Sequence, residues 1–424
     1  MNVDATIVAR KIRLRLAVPL LGILLLNAID RVNVSFAALQ MNADLGFSPR
    51  EYGFAVSIFF AGYILFQLPN IWLLEKIGMR RWVCAIALTW GIAATATAFV
   101  TSAWPFYVLR FVIGAAEGGY APGVIWYLSR WMPERYRGST LALAMLAVPI
   151  SMVIGGPLSG WLMEVSNPLS WPGWRWMFLV EGLPTVILAV LALWIFVDEP
   201  RNASWLSSAE KEWLSGELVR EPSANAEHRA PLWTLWLRRD FWITMLCWFS
   251  IMTGTFGIIF WLPQIIKNVA PGISDTQTGL LSALPWVAAG VGMMVNSWHS
   301  DKTKERRLHV SLPMLLAGVF MGLAAIAGSG VAALLCLVSA GLFLGGSQGT
   351  FWTLPPVVLG TAYAASAVAF INICGNSAGV IAPILIGWIR EQTGSFQLPV
   401  LAMGAVLMVG GLSGALLLPR SKLR

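Results

Sequence analysis

Twelve stretches of this sequence run for about twenty residues with few polar side chains, and only one environment suits a chain patterned this way. They cover residues 16–40, 52–74, 82–101, 106–129, 139–163, 176–197, 241–264, 278–298, 310–328, 331–354, 364–388 and 398–418. About twenty residues of α-helix cross the hydrocarbon core of a bilayer, where every backbone N–H and C=O must be satisfied within the segment. The expected fold class is therefore an all-α membrane protein with twelve transmembrane helices. Charged residues make up 12% of the chain and apolar ones 57%, whereas soluble domains carry roughly 25% charged residues. The mean hydropathy is +0.70. The 22 Trp and 20 Phe suit aromatic anchoring at both membrane interfaces.

A formal charge of +8 raises nucleic acid as a partner, and the placement of that charge removes it. With the N-terminus inside, 23 of the 29 Lys and Arg fall in cytoplasmic segments, and only Arg50, Arg175, Lys267 and Arg390 on the opposite side. This is the positive-inside pattern of a membrane protein, not a basic groove. Both termini are expected in the cytoplasm, and the protein in the cytoplasmic (inner) membrane. The polar start with Arg10, Lys11, Arg13 and Arg15 leads into a span too long for a signal peptide, so no cleavage is expected. Cys84, Cys247, Cys336 and Cys374 lie in apolar spans without metal or redox spacing and read as small buried hydrophobes. No Walker loop, nucleophile elbow, zinc spacing or Rossmann fingerprint occurs, so neither an enzyme nor a bound cofactor or metal is expected.

Six spans, a polar stretch and six more spans divide the chain into residues 1–199, a cytoplasmic linker at 200–239, and residues 240–424. Within the linker, Ser207-Ser208-Ala209-Glu210 is a capping-box signature opening a short amphipathic helix. An internal echo supports two related halves. The loop after the second span reads Leu74-Glu75-Lys76-Ile77-Gly78-Met79-Arg80-Arg81, and the loop after the eighth reads His299-Ser300-Asp301-Lys302-Thr303-Lys304-Glu305-Arg306-Arg307. Each places an acid and a base at a helix end, then a turn and a basic pair.

Four ionisable residues lie well inside spans: Asp30, Arg31, Arg110 and Glu117. A charge at the bilayer centre costs at least about 2.5–3.5 kcal/mol, so the adjacent pair Asp30-Arg31 calls for an explanation: either a fixed, fully paired cluster that only locks two helices together, or an anion site with titratable carboxylates. Arg110 and Glu117 are seven residues apart, which puts them on one helix face about 10 Å apart along the axis. If the first and fourth spans touch, Asp30 and Arg31 can each meet an opposite charge. Arg31 offers a fixed fork to a substrate carboxylate, while Asp30 and Glu117 can exchange protons as hydration and pairing change. All three histidines (His228, His299, His309) fall in or beside cytoplasmic loops, leaving carboxylates as the intramembrane proton carriers.

In the second half, Gln348, Trp352, Asn372 and Asn376 bring amides and an aromatic ring to mid-membrane, with Asn372 and Asn376 sharing a helix face. They are candidate substrate contacts lining a cavity, with interhelical hydrogen bonding as the alternative reading. Glycines at 114, 118, 119 and 123 on the fourth span, and at 155, 156 and 160 on the fifth, read as close helix packing.

Several segments carry a family resemblance across nearly the whole length. They include Ile29-Asp30-Arg31-Val32-Asn33-Val34-Ser35-Phe36-Ala37, Leu45-Gly46-Phe47-Ser48, Arg110 to Glu117 followed by Ala121-Pro122-Gly123, and Gly156-Pro157-Leu158-Ser159-Gly160-Trp161. Others are Trp174-Arg175-Trp176, Glu181-Gly182-Leu183-Pro184, Phe351-Trp352-Thr353-Leu354-Pro355 and Asn372 to Asn376. The chain resembles the anion:cation symporter family of the major facilitator superfamily, closest to the branch of tartrate, hydroxyphenylacetate, phthalate and sugar-acid permeases. The resemblance implies two six-helix bundles and proton-coupled import of small organic anions by alternating access. It implies substrate contact at Arg31, Tyr63, Trp352 and Asn372, proton coupling at Asp30 and Glu117, and tuning of the latter by Arg110.

Three departures mark the chain. Ala28 stands where many relatives have Tyr, which enlarges the pocket or shapes it for another acid. Ile71, Glu75 and Lys76 stand where the superfamily loop has Gly, Asp and Arg, and Gln67 replaces a Glu. The expected activity is secondary active import of a hydroxy acid, sugar acid or aromatic carboxylate with a proton, by a chain that functions as a monomer. The alternatives are an exporter of a drug or metabolite with the same fold, and a sensor that binds an organic acid without moving it. The short tails argue against the sensor.

Overall fold

The computed structural model describes residues 3–145, 147–220 and 232–418. The middle of the expected linker, with His228, and the basic residues Arg420, Lys422 and Arg424 lie outside them. Among the described residues there are helices and connecting turns but no strand. Ten helices there are long and apolar enough to cross a membrane: Ala5–Leu45, Pro49–Ile77, Met79–Phe99, Gly173–Ile195, Arg239–Val269, Asp275–Thr303, Arg307–Ala327, Gly330–Phe351, Ala367–Thr393 and Gln397–Leu417. The fourth expected span is built from two pieces, Ala103–Glu117 and Tyr120–Ser129. The fifth is described as helix at Glu134–Met145 and Ala147–Glu164, on either side of residue 146, which lies outside the described residues.

The break in the fourth span falls at Gly118-Gly119, directly after Glu117. A Cβ at Gly118 would collide with the backbone of Tyr63, and one at Gly119 with the side chain of Asn70. The second span therefore lies against bare backbone, as small residues permit in membrane helices. Asn70 fastens the contact by donating to the Ala115 carbonyl at 2.7 Å.

The contacts divide the chain into two units. One comprises Met1–Arg31, Ala61–Met152 and Arg175–Asn225; the other comprises Val32–Phe60, Val153–Trp174 and Ala226–Arg424. The unit boundary thus runs through the first span immediately after Arg31 and through the second after Phe60.

In the first unit the polar start belongs to the first helix, through a five-residue π-helical stretch at Arg13–Ala17. Two of its basic residues are held: Lys11 donates to Glu210 at 2.7 and 2.9 Å, and Arg13 to Thr140 at 3.0 Å and Ser139 at 2.6 Å. Ser207 and Glu210 exchange backbone-to-side-chain hydrogen bonds at the head of the Ser208–Arg220 helix. Beyond the second span the chain turns at Gly78, with φ of 80°, a conformation glycine adopts without steric cost. Asp198 accepts from the Arg80 N–H there at 3.0 Å, placing a carboxylate at a helix N-terminus.

The second unit is closed at one end by close helix contacts. A Cβ at Gly53 would meet the Pro383 carbonyl, one at Gly156 the Gly279 carbonyl, one at Gly160 the Asp275 carbonyl, and one at Gly387 the Pro49 carbonyl. Polar groups join the same end. Gln40 donates to Asp275 at 2.7 Å and accepts from the Trp174 N–H at 3.2 Å, while the Trp174 indole donates to Asp44 at 3.0 Å. The Glu164 carboxylate accepts from the Asp275 N–H and the Thr276 hydroxyl, at the N-terminus of Asp275–Thr303. Lys267 completes the network at 2.9 Å from Asp275.

Candidate functional site

Three helices build the charged cluster of the first unit. The first span brings Asp30 and Arg31, the second Tyr63, and the fourth Arg110 and Glu117, with Glu117 as the last residue before the glycine break. Arg31 donates through Nε and Nη2 to Oε2 of Glu117, at 3.2 and 2.8 Å. Its guanidinium carbon lies 5.2 Å from the centre of the Tyr63 ring, within the range of a cation–π contact. The Arg31 side chain is 24% exposed, while that of Glu117 is wholly buried. One member of the pair is thus open to an arriving solute and the other sits behind it.

Asp30 points elsewhere. Its Oδ2 accepts from the Thr185 hydroxyl on the sixth span at 3.0 Å, and the Trp90 indole lies within reach of the same carboxyl. Glu117 and Glu181 are close enough for their charges to act on it, and the buried Arg110 acts on Glu117 in the same way. The first unit therefore gathers all five sequence-predicted residues from the first half: Asp30, Arg31, Tyr63, Arg110 and Glu117. Thr185 and Trp90 are additions that sequence reasoning missed. A threonine after a proline and a tryptophan in an apolar span carry no signal of their own; the buried carboxylate beside them supplies it.

Gln348, Trp352, Asn372 and Asn376 lie in the second unit. Gln348 donates to the Thr255 hydroxyl at 2.5 Å. Trp352 caps the Gly330–Phe351 helix and is 4.6 Å, centroid to centroid, from Trp248, which in turn stacks on Phe351 at 4.5 Å. A Cβ on Gly375 would collide with the Trp248 indole. Gly375 lies on the same helix as Asn372 and Asn376. Trp248 was missed for an ordinary reason: a Trp in an apolar helix reads as packing until its neighbours are known.

The first unit holds a cluster of charged side chains around Arg31 and Glu117, and the second holds amides and aromatic rings around Trp248 and Gln348. Among the described residues no group of three or more His, Cys, Asp or Glu side chains could hold a metal ion.

The Major Facilitator Superfamily model matches residues 20–383. The chain is 40% identical over 414 residues, 97% of its own length and 94% of the relative's, to a candidate tartrate transporter of Agrobacterium vitis. It is 36% identical over 396 residues, 93% and 91% of the two chains, to a quinolone resistance transporter of Acinetobacter baumannii. Among solved structures, a bacterial homologue of the human lysosomal transporter Spinster, inward-facing and occupied, superposes with a TM-score of 0.79. That match covers 94% of this chain and 95% of the other at 15% identity, and it speaks for the fold alone. With ten membrane-crossing helices among the described residues, a buried charge cluster and these relatives, the chain belongs to the Major Facilitator Superfamily and is a multi-pass membrane transporter, not an enzyme.

Proposed function

We propose that this transporter imports a small organic anion (a hydroxy acid, a sugar acid or an aromatic carboxylate) together with a proton, by alternating access of two six-helix bundles at 1–199 and 240–424. It acts as a monomer in the cytoplasmic membrane with both termini inside, a reading supported by the lopsided distribution of its basic residues. The organic-anion class is supported by the tartrate transporter among its relatives.

One observation carries the coupling: the partly exposed Arg31 fork is held by the buried Glu117 carboxylate. An ionised Glu117 and a substrate carboxylate compete for the same two donors. A proton on Glu117 removes the competing charge and frees the fork for the substrate, whose two oxygens suit it. Substrate binding in turn favours the protonated state of Glu117, since linkage is reciprocal. Asp30, fixed by Thr185, and Arg110 set the field in which that proton moves. Tyr63 steadies the guanidinium plane. Gln348, Trp352, Asn372 and Asn376 are the proposed substrate contacts of the second half, amides for hydroxyl groups and a ring for stacking.

The test is uptake into proteoliposomes under an imposed pH gradient, across a panel of organic acids. At least one acid should accumulate and leak back when a protonophore is added. A second reading, export of a drug or metabolite, is favoured by the quinolone resistance relative. It is supported instead if no acid accumulates and quinolones are extruded.

A further inference from the structure

The helices Asp275–Thr303 and Arg307–Ala327 are consecutive, yet both pack on Gly330–Phe351 far more than on each other. Gly292 allows this, because a Cβ there would enter the Leu342 carbonyl. Between the two helices lies a groove of about 750 Å³, with walls of Val291, Val295, Leu312 and Leu316 over a floor of Leu342 and Phe343. Val295 is 59% exposed and Leu312 48%, so the groove presents an open apolar surface on two helices long and apolar enough to cross a membrane.

One end of the groove is polar and closed. His299 Nδ1 and His309 Nε2 are 2.7 Å apart, and His309 Nδ1 is 2.9 Å from Glu305 Oε2. The Glu305 carboxylate also accepts from the Leu308 N–H at 2.8 and 2.9 Å, so its charge caps the helix. Asn296 seals the floor with bonds to the His309 and Gly346 carbonyls at 2.7 and 2.8 Å. At the same end the Lys302 ammonium stands 5.4 Å from the ring centre of the exposed Trp298. A Trp with a Lys marks the level of lipid headgroups. Lys304 is also exposed there, whereas Arg306 is paired with Asp301 at 2.6 Å.

We propose that this groove binds one anionic phospholipid, with an acyl chain between the eighth and ninth spans and its phosphate at Lys302 and Lys304. An apolar cavity gives water too few partners to fill it, and at this depth the apolar matter available is acyl chain. The lysines then select a negative headgroup over a zwitterionic one.

The test is native mass spectrometry of the full chain titrated with dioleoylphosphatidylglycerol or dioleoylphosphatidylcholine. The glycerol lipid should bind more tightly, by about fivefold for each lysine engaged. Lys302→Gln with Lys304→Gln should bring it down to the choline lipid. Val295→Trp, a change at an exposed position that fills the groove, should weaken both lipids. Glycerol phosphate alone should not compete. Equal binding of the two lipids, a preference that survives loss of both lysines, or full binding by Val295→Trp would overturn the site. So would competition by glycerol phosphate, or a dimer that Val295→Trp dissociates.

Discussion

Nε and Nη2 of Arg31 converge on a single oxygen of Glu117, Oε2, at 3.2 and 2.8 Å. A carboxylate that offered both oxygens to the fork would make the stronger contact. The pair therefore holds Arg31 in place without matching what a substrate can provide.

Arg31→Lys keeps the charge and removes the fork. A hydrogen bond to a charged group contributes about 1.5–3 kcal/mol, so substrate affinity should fall roughly 10- to 100-fold. Substrate titrations of the purified protein measure it. Affinity equal to the parent's would mean that Arg31 acts as a point charge only.

Thr185 fixes Asp30 from the sixth span at 3.0 Å. Thr185→Val keeps the shape and deletes the donor, leaving a buried carboxylate oxygen unmatched at a cost of about 1–3 kcal/mol. Thermal melts in detergent should show the loss, and Thr185→Ser should recover most of it. Valine melting like the parent would remove Thr185 from the network.

Gly375 seats the Trp248 ring, which packs on Trp352. Gly375→Ala should push Trp248 against Trp352 at a cost of about 1–3 kcal/mol of overpacking. If that pair lines the substrate path, KM rises several-fold while kcat changes less, and adding Trp248→Phe restores KM. An unchanged KM in a folded variant would place the aromatic cluster outside the path.

Lys11 and the Ser207 N–H, acting against slight burial, hold the Glu210 carboxyl below its ordinary range. A depressed carboxylate contributes stability that is present above its unfolded pKa, near 4.3, and is lost as pH falls through the lower folded value. Lys11 is 41% exposed, so screening keeps the contribution small. Hydrogen exchange of the Ser208–Arg220 helix should quicken modestly in Lys11→Gln at pH 7. The difference should fade once Glu210 is protonated in both proteins. A gap that persists in acid would assign the effect to packing.

Much of the architecture was legible because a bilayer allows few solutions. Runs of apolar residues mark the helices, and the cost of an intramembrane charge singles out Asp30, Arg31, Arg110 and Glu117. Pairing Arg31 with Glu117 needed only the assumption that the first and fourth spans touch. The break after Glu117 was not legible. Glycines at 118 and 119 look the same in a continuous packed helix, and only the backbone of Tyr63 and the side chain of Asn70 show why both positions need glycine. Thr185, Trp90 and Trp248 stayed hidden because each takes its meaning from a partner far away in sequence.

The most direct measurement compares Glu117→Gln with the parent in the same proteoliposomes, for exchange of labelled substrate without a gradient and for accumulation under a pH gradient. Glutamine keeps the shape and cannot carry the proton. The expected result is exchange near the parental rate with accumulation abolished. Full gradient-driven accumulation by Glu117→Gln would contradict the assignment of Glu117 as the group whose proton frees Arg31.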